Sequence, residues 1–94
     1  MSEGEQHAGQ AAADVRNRVH EVLRKHAQIG VDPATLRDDA DLYESGMSSR
    51  SSVSVMLGLE GEFEIEFPDS MLRRDVFATV AAICAAVTTL GAAK

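Results

Sequence analysis

The side chains that could perform chemistry in this sequence are a group of four serines, three histidines and a single cysteine. A nucleophilic serine or cysteine needs a base nearby and a third group that orients the base. No motif places a histidine beside the serines or beside the cysteine. The candidate residues are Ser48, Ser49, Ser51, Ser52, His7, His20, His26 and Cys84. His26 and Cys84 fall on apolar helix faces, where core packing is the more common role. We therefore expect no catalytic residue and a protein that is not an enzyme.

The acidic cluster at Asp38, Asp39 and Asp41 invites a calcium-site interpretation, which its spacing excludes. An EF-hand loop that started at Asp39 would have Glu44 where a glycine is needed and Arg50 where a bidentate glutamate is needed. The sequence also lacks a G-x-x-x-x-G-K-[ST] phosphate loop, and its GMSSR segment lacks the second glycine of a G-x-S-x-G nucleophile motif. No metal site is expected.

The elements that must position the serine group are predicted to be helices. Apolar spacing indicates three amphipathic helices, of which the first is stopped by Gly30 and the last by Gly91. The second begins at Ser48 or Ser49, because serine is a favoured N-cap after the break at Gly46. The predicted class is all-α, a four-helix bundle with three main helices and one short third helix. In order, we expect a flexible tail over 1–10, helices over 11–29, 48–63, 69–74 and 77–90, and a C-terminal tail over 91–94. The long connection between the first two helices is expected to contribute four side chains to the core: Val31, Leu36, Leu42 and Tyr43.

Length, composition and charge exclude several classes of protein. A chain of 94 residues allows one domain with one small core. One cysteine excludes a disulfide framework, and the start of the chain lacks the regions of a secretory signal, so a cytoplasmic location is expected. The apolar run near the C-terminus is too short for a membrane span, and a net charge of −6 opposes binding to nucleic acid. We expect a monomer that binds neither a membrane nor nucleic acid.

The acidic residues concentrate between Asp32 and Asp69. A partner that meets this region is expected to present basic residues. The alternative is that these carboxylates only keep a small domain soluble, and on charge alone this simpler explanation is preferred.

The predicted second helix carries two apolar faces. At 100° per residue the core face consists of Val55, Met56, Leu59 and Phe63. Val53 and Leu57 lie on another face beside Arg50 and Ser54, and Ser49 lies at the helix end near the same azimuth. Small proteins commonly expose a valine or a leucine. Chance exposure therefore explains this second apolar strip as well as a functional surface does.

An acidic loop, a glycine, a serine three residues later and an apolar helix follow one another in this sequence. This order resembles the acyl carrier protein family, whose modification site reads roughly D-x-x-L-x-x-x-G-x-D-S-L and continues to a phrase like E-E-x-F-x-I-x-I-P. The resemblance covers about residues 12–90. The matching residues are Asp39 (or Asp41), Leu42, Gly46, Ser49, Leu59, Phe63, Ile65, Phe67 and Pro68.

The resemblance implies that Ser49 carries 4′-phosphopantetheine, attached from coenzyme A by a phosphopantetheinyl transferase, and that residues 11–90 form a carrier domain. The thiol of this arm holds a carboxylic acid as a thioester in that family. A phosphodiester at the first residue of a helix meets unpaired N–H groups and the positive end of the helix dipole. The surface expected to meet partner proteins consists of Ser48, Arg50, Val53, Ser54 and Leu57.

Four departures from the family pattern narrow the predicted class of carrier protein. Ser48 replaces the usual aspartate and Arg50 the usual leucine or methionine, while Ser54 and Gly61 replace glutamates of the fatty-acid members. The sequence is most similar to stand-alone aminoacyl carrier proteins, which partner ligases resembling an atypical seryl-tRNA synthetase. The resemblance thus implies a small amino acid, glycine or alanine, as cargo. Two alternatives stay open: an acyl carrier protein of fatty acid or polyketide synthesis, and an unmodified helical protein-interaction module.

Overall fold

The computed structural model describes the backbone of residues 3–91 and the side chains of residues 12–91. Three α-helices dominate it: α1 spans Glu3–His26, α2 spans Ser49–Phe63 and α3 spans Val80–Thr89. Three 3-10 turns lie between them, at Pro33–Thr35, Asp69–Met71 and Arg74–Phe77. No β-strand occurs in this range, and the predicted all-α class is confirmed.

Helix α1 starts earlier and ends earlier than the apolar spacing predicts. It begins at Glu3, so residues 3–10, expected as a flexible tail, continue the helix. Glutamate, glutamine and alanine are good helix formers, and each residue added to an existing helix gains one hydrogen bond. The helix ends at His26 because Gln28 adopts a left-handed conformation at φ 58°. The predicted stop at Gly30 is therefore wrong.

The core lies where the three helices meet. Each helix contributes one apolar face, and the long connection between α1 and α2 adds a leucine. Burial of a side chain of this size contributes about 1.5–3 kcal/mol relative to exposure. The aliphatic side chains at zero exposure are Val19, Leu23, Leu42, Val55, Leu59, Val80, Ile83 and Val87.

Helix α2 is held against α1 at two points. At its C-terminal end, Arg18 donates to Glu62 Oε2 at 2.8 Å and to the Glu62 carbonyl at 2.7 Å, and its guanidinium lies 4.4 Å from the centre of the Phe63 ring. These bonds to Glu62 raise the pKa of Arg18. In the middle of α2, Gly58 faces His26 of α1 so closely that a β-carbon there would lie 2.7 Å from the histidine ring. The position of α2, and of the serines at its start, is fixed by these contacts.

The connection from α1 to α2 differs from its prediction at one of the four residues that were expected to be buried in the core. Leu42 is fully buried, Met47 is buried, and Leu36 and Tyr43 are partly buried against the core. Val31, however, is 49% exposed, so its predicted role as a plug is wrong. The neighbouring Pro33 is buried in its place, because the turn it begins points its ring inward.

The predicted short third helix is a pair of 3-10 turns. Leu72 and Arg73 leave helical geometry and separate the turn at Asp69–Met71 from the turn at Arg74–Phe77. Phe77, predicted as the start of the last helix, belongs to the second turn, and its ring lies 5.2 Å from that of Phe67. This contact secures the extended segment that leaves α2.

Helix α3 begins at Val80. Its N-cap is Thr79, whose hydroxyl accepts the Ala82 N–H at 3.0 Å. Threonine is a favoured cap because its oxygen satisfies one of the free N–H groups of the first turn. Gly91, at φ 108°, lies just beyond the end of the helix as predicted, and the rest of the predicted tail, 92–94, lies outside the described residues.

Candidate functional site

Ser48 caps α2 and is fully engaged in doing so. Its hydroxyl accepts the Ser51 N–H at 3.0 Å, while its own N–H donates to Ser51 Oγ at 2.9 Å. This reciprocal capping box satisfies two backbone donors that the helix start would otherwise leave free. Ser51 is buried, and its hydroxyl also donates to the Ser48 carbonyl at 3.1 Å. Neither hydroxyl is available for other chemistry without loss of the cap.

Ser49, the first residue of α2, has an exposed side chain. Within the described residues its hydroxyl takes part in no hydrogen bond, whereas the Ser52 hydroxyl donates to the Ser49 carbonyl at 2.7 Å. The N–H groups of Ser49 and Arg50 find no acceptor in the same part of the chain, as expected for the first turn of a helix. The site therefore offers a free hydroxyl beside free N–H donors.

The loop before α2 holds Ser49 at the surface. Asp41 Oδ1 accepts the Tyr43 N–H at 2.9 Å and starts the turn, and Gly46 continues it at φ 121°, a conformation that favours glycine. The Leu42 N–H donates to the Ala78 carbonyl at 2.7 Å, which ties the loop to the start of the last helix. Asp41, and not Asp39, therefore shapes this loop.

A groove of about 530 Å³ opens directly beside Ser49. It lies between α2 and the segment that carries the two 3-10 turns before α3. Most of its lining is apolar or aromatic, and its cationic residues come from that segment. The lining residues are Tyr43, Ser49, Ser52, Val53, Met56, Leu72, Arg73, Arg74 and Phe77.

The second apolar strip predicted on α2 is exposed. Val53 is 54% and Leu57 57% exposed, while Ser54 between them is half-buried. Ser48 and Arg50, the other predicted partner-contact residues, are also exposed. All five lie on α2 or at its cap, four of them within its first two turns and Leu57 near its middle. Their exposure fits the predicted docking surface, whose role stays a prediction.

The wall of the groove opposite α2 was not predicted from the sequence. Leu72 is 47% exposed and faces Val53 across the groove, although no helical periodicity marks it in the sequence. The Arg74 guanidinium lies 3.8 Å from the centre of the Tyr43 ring, a cation–π contact. Tyr43, predicted only as a core plug, therefore also lines the groove. The only signal in the sequence was the pair of arginines in an otherwise acidic protein.

The remaining chemical candidates lie away from Ser49. His26 packs on Gly58, and Cys84 is half-buried on α3, where burial raises the pKa of its thiol. His20 is 7% exposed, its Nε2 has no hydrogen-bond partner among the described residues, and burial lowers its pKa. The described residues contain neither a group of three metal-binding side chains nor a helix long and apolar enough to cross a membrane.

Comparison with known proteins agrees with this geometry. Residues 14–87 match the family model described as "Phosphopantetheine attachment site". The chain is 48% identical over 65 residues to an aminoacyl carrier protein of Agrobacterium fabrum, covering 69% of this chain and 78% of that protein. It is 38% identical over 77 residues to a D-alanyl carrier protein of Leuconostoc citreum, covering 81% of this chain and 95% of that protein.

A solved structure shows a similar chain with a partner. It contains an engineered Bradyrhizobium japonicum glycine:[carrier protein] ligase in complex with a carrier protein from Agrobacterium tumefaciens and ATP. The matched chain has a TM-score of 0.77 and 43% sequence identity, over 80% of this chain and 97% of that one. The same two proteins were solved with AMP, with a TM-score of 0.75 and 44% identity over 78% of this chain and 97% of that one.

Proposed function

This chain belongs to the phosphopantetheine attachment-site family and within it to the aminoacyl carrier proteins, and we propose that Ser49 is its attachment residue and a small amino acid its cargo. The family and the carrier-protein fold expected from the sequence are confirmed. Members of this family are carriers that are not themselves catalytic. The cofactor of the family is 4′-phosphopantetheine.

The single observation that carries the choice of Ser49 is its free hydroxyl. Ser48 and Ser51 bond to each other across the capping box, and Ser52 donates to a backbone carbonyl. Ser49 alone of the group combines exposure with a hydroxyl that has no partner among the described residues. A transferase can therefore reach this oxygen without first breaking a hydrogen bond of the fold.

The residues around Ser49 fit the group that it would carry. The free N–H groups of Ser49 and Arg50 can donate to phosphate oxygens, and the positive end of the α2 dipole stabilises their charge by about 0.3–1 kcal/mol. Arg50 adds a full positive charge next to the attachment point. When bound, phosphopantetheine supplies a thiol that holds an amino acid as a thioester. The protein tethers that cargo, which raises its effective concentration at any enzyme to which the carrier docks.

The choice of a small amino acid rests on the relatives. One relative is an aminoacyl carrier protein, another a D-alanyl carrier protein, and a third is bound to a glycine:[carrier protein] ligase. Helix α2 also lacks the glutamates found in the fatty-acid members, because Ser54 and Gly61 occupy those positions. We therefore assign glycine or alanine as cargo and an amino acid:carrier protein ligase of the seryl-tRNA synthetase-like type as the loading enzyme.

The proposed contact surface for this ligase consists of Ser48, Arg50, Val53, Ser54 and Leu57. A partner that delivers an amino acid to an arm on Ser49 must approach this end of α2. Val53 and Leu57 are separated by one helical turn and both are more than half exposed, so they present one continuous apolar strip. Burial of such a strip supports association, since apolar area removed from water contributes about 25 cal/mol per Å².

The attachment site is tested by intact mass after incubation with coenzyme A and a phosphopantetheinyl transferase of broad specificity. The wild-type protein should gain one phosphopantetheinyl group, and Ser49→Ala should gain none. Ser52→Ala is the matched control, because it removes a hydroxyl one turn away and leaves Ser49 and the capping box intact. Modification of Ser49→Ala would place the site on another serine, and no gain in the wild type would favour the unmodified interaction module.

The cargo is tested on the modified protein. It is incubated with ATP, glycine or alanine and an amino acid:carrier protein ligase, and in parallel with fatty acyl and malonyl donors and their transferases. Intact mass should increase by one aminoacyl group. Loading by fatty or malonyl groups alone would instead identify an acyl carrier protein of fatty acid or polyketide synthesis.

A further inference from the structure

The groove beside Ser49 is apolar inside and cationic at its edge. Val53 and Leu72 border it with side chains about half exposed, and Met56 and Phe77 lie deeper. Arg73 and Arg74 are its only charged lining residues among those described. Arg50 is also exposed, next to Ser49 at the start of α2.

Two of these arginines have no acidic partner in the described part of the chain. Arg74 lies over the Tyr43 ring at 3.8 Å, and neither it nor Arg50 forms an ion pair there. Arg73 is paired with Asp75 at 3.3 Å, but both side chains are largely exposed, and such pairs are weak. Arg50 and Arg74 therefore bring two positive charges to this end of the groove, and neither is paired with a described carboxylate.

This local charge is opposite to that of the protein as a whole. The net charge is −6, and the other arginines are held in ion pairs with carboxylates; they are Arg16, Arg18, Arg24 and Arg37. From the sequence, the acidic region between Asp32 and Asp69 suggested either a basic partner or, as the preferred explanation on charge alone, solubility. The fold, however, brings Arg73 and Arg74, which lie beyond that region in the sequence, to the side of Ser49.

We propose that the groove docks a segment of the loading ligase in which an apolar side chain is flanked by aspartate or glutamate. This inference rests on the proposed function and specifies the partner of the same site. An apolar side chain would displace water from Val53 and Leu72, while flanking carboxylates would form charge-assisted hydrogen bonds with Arg50 and Arg74. A basic segment would meet like charge at the same place and be rejected.

Charge reversal tests the proposed contact between the two unpaired arginines and carboxylates of the ligase. Arg50→Glu and Arg74→Glu are compared with Lys25→Glu, which makes the same change in net charge at an exposed α1 residue outside the groove. Each protein is first converted to its phosphopantetheinyl form and quantified by intact mass. Loading is then measured with glycine, ATP and the B. japonicum glycine:[carrier protein] ligase. Arg50→Glu, beside the groove, and Arg74→Glu, in its lining, should each raise the KM for the carrier about tenfold, and the Lys25 variant should leave it near the wild-type value.

Salt dependence separates an electrostatic contact from a change in shape. The KM of the wild type should rise between about 0.05 M and about 0.5 M NaCl, because screening weakens exposed charge pairs. That rise should be smaller for Arg50→Glu and Arg74→Glu. Among the described residues Arg50 takes part in no ion pair and no cation–π contact, so its variant also controls for loss of the Arg74 stacking on Tyr43.

The apolar half is tested by Leu72→Ser against Val31→Ser. Both residues are about half exposed, at 47% and 49%, but only Leu72 lines the groove. Leu72→Ser should raise the KM several-fold, and Val31→Ser should not. If the wild type loads normally while the groove variants match their controls, this inference is overturned and the proposed function stands. A wild type that acquires the arm and accepts no amino acid would refute the proposed function itself.

Discussion

Replacement of Gly58 by alanine tests how closely α1 and α2 approach. A β-carbon at Gly58 would lie 2.7 Å from His26 Cδ2, 3.0 Å from His26 Nε2 and 3.0 Å from Val22 Cγ1. Ordinary contacts between carbon atoms lie at about 3.5–4.0 Å, so the new atom is too close to the ring by roughly 0.8 Å. Gly61, one turn further along the same helix, is the matched control, because a β-carbon there has nothing within 4 Å.

The two substitutions should change stability in opposite directions. Alanine is favoured over glycine inside a helix by about 0.5–1 kcal/mol, and Gly61→Ala should gain that amount. Gly58→Ala gains the same propensity but forces extra volume into the interface, which costs about 1–3 kcal/mol. Its net effect should be a loss of up to about 2.5 kcal/mol. The His26 ring can swing outward, whereas Val22 is β-branched and restricted in a helix, so part of the cost remains after the ring moves.

Urea and thermal unfolding of the single variants and of Gly58→Ala combined with His26→Ala measure these terms. A change of 1 kcal/mol corresponds to about 4–8 °C in Tm for a domain of this size. The double variant should recover part of the loss caused by Gly58→Ala, since the nearest contact is with His26. If Gly58→Ala stabilised the protein as much as Gly61→Ala does, the close approach of the two helices would be refuted.

Three further substitutions follow from the described geometry. Leu57→Asp should slow aminoacyl loading about tenfold and leave unfolding within about 0.5 kcal/mol of wild type, because Leu57 is exposed; unchanged loading rates would remove the strip from the docking surface. Ser48→Ala should cost about 1 kcal/mol of stability, because it removes the capping box, while the arm should still attach to Ser49. If intact mass showed no attachment to this variant, the cap and the attachment site would not be separate residues. Burial lowers the pKa of His20 below its ordinary 6.5, so the unfolded chain binds the proton first, and the free energy of unfolding should fall as pH drops below about 6.5. His20→Leu should flatten that dependence in urea titrations at several pH values, and an equally steep dependence in the variant would assign it to other groups.

The start of α2 could be predicted from sequence because its determinants are local. Serine caps, the glycine before them and the apolar period of the following residues predict a start at Ser48 or Ser49 and an end near Phe63, and the structure has Ser48 as N-cap and Phe63 as the last residue. The exposure of Val53 and Leu57 follows from the same period. These are also the residues on which the proposed function depends most directly.

The parts that sequence could not predict depend on contacts between distant segments. Gln28 ends α1 in a conformation that its type does not favour, and Val31 stays exposed because the turn beyond it buries a proline instead. Leu72 lies between two short turns and Arg74 begins the second of them, and neither turn has a periodicity of its own. Their position beside Ser49 follows from packing of Phe77 against Phe67, which no local pattern encodes.

The departure from the family pattern at Ser48 is consistent with the cationic groove. An aspartate there could cap α2 equally well, since its carboxylate accepts the same N–H groups, but it would place a negative charge within two residues of Arg50. Ser48 caps with a neutral hydroxyl that Ser51 supports in return. The Arg50 guanidinium therefore has no carboxylate beside it at the cap, which leaves it available to the proposed phosphodiester on Ser49 and to the proposed acidic partner. Ser48 and Arg50 thus have the same effect on this end of α2. The neutral cap leaves the helix end positive, and Arg50, two residues later, adds to that charge.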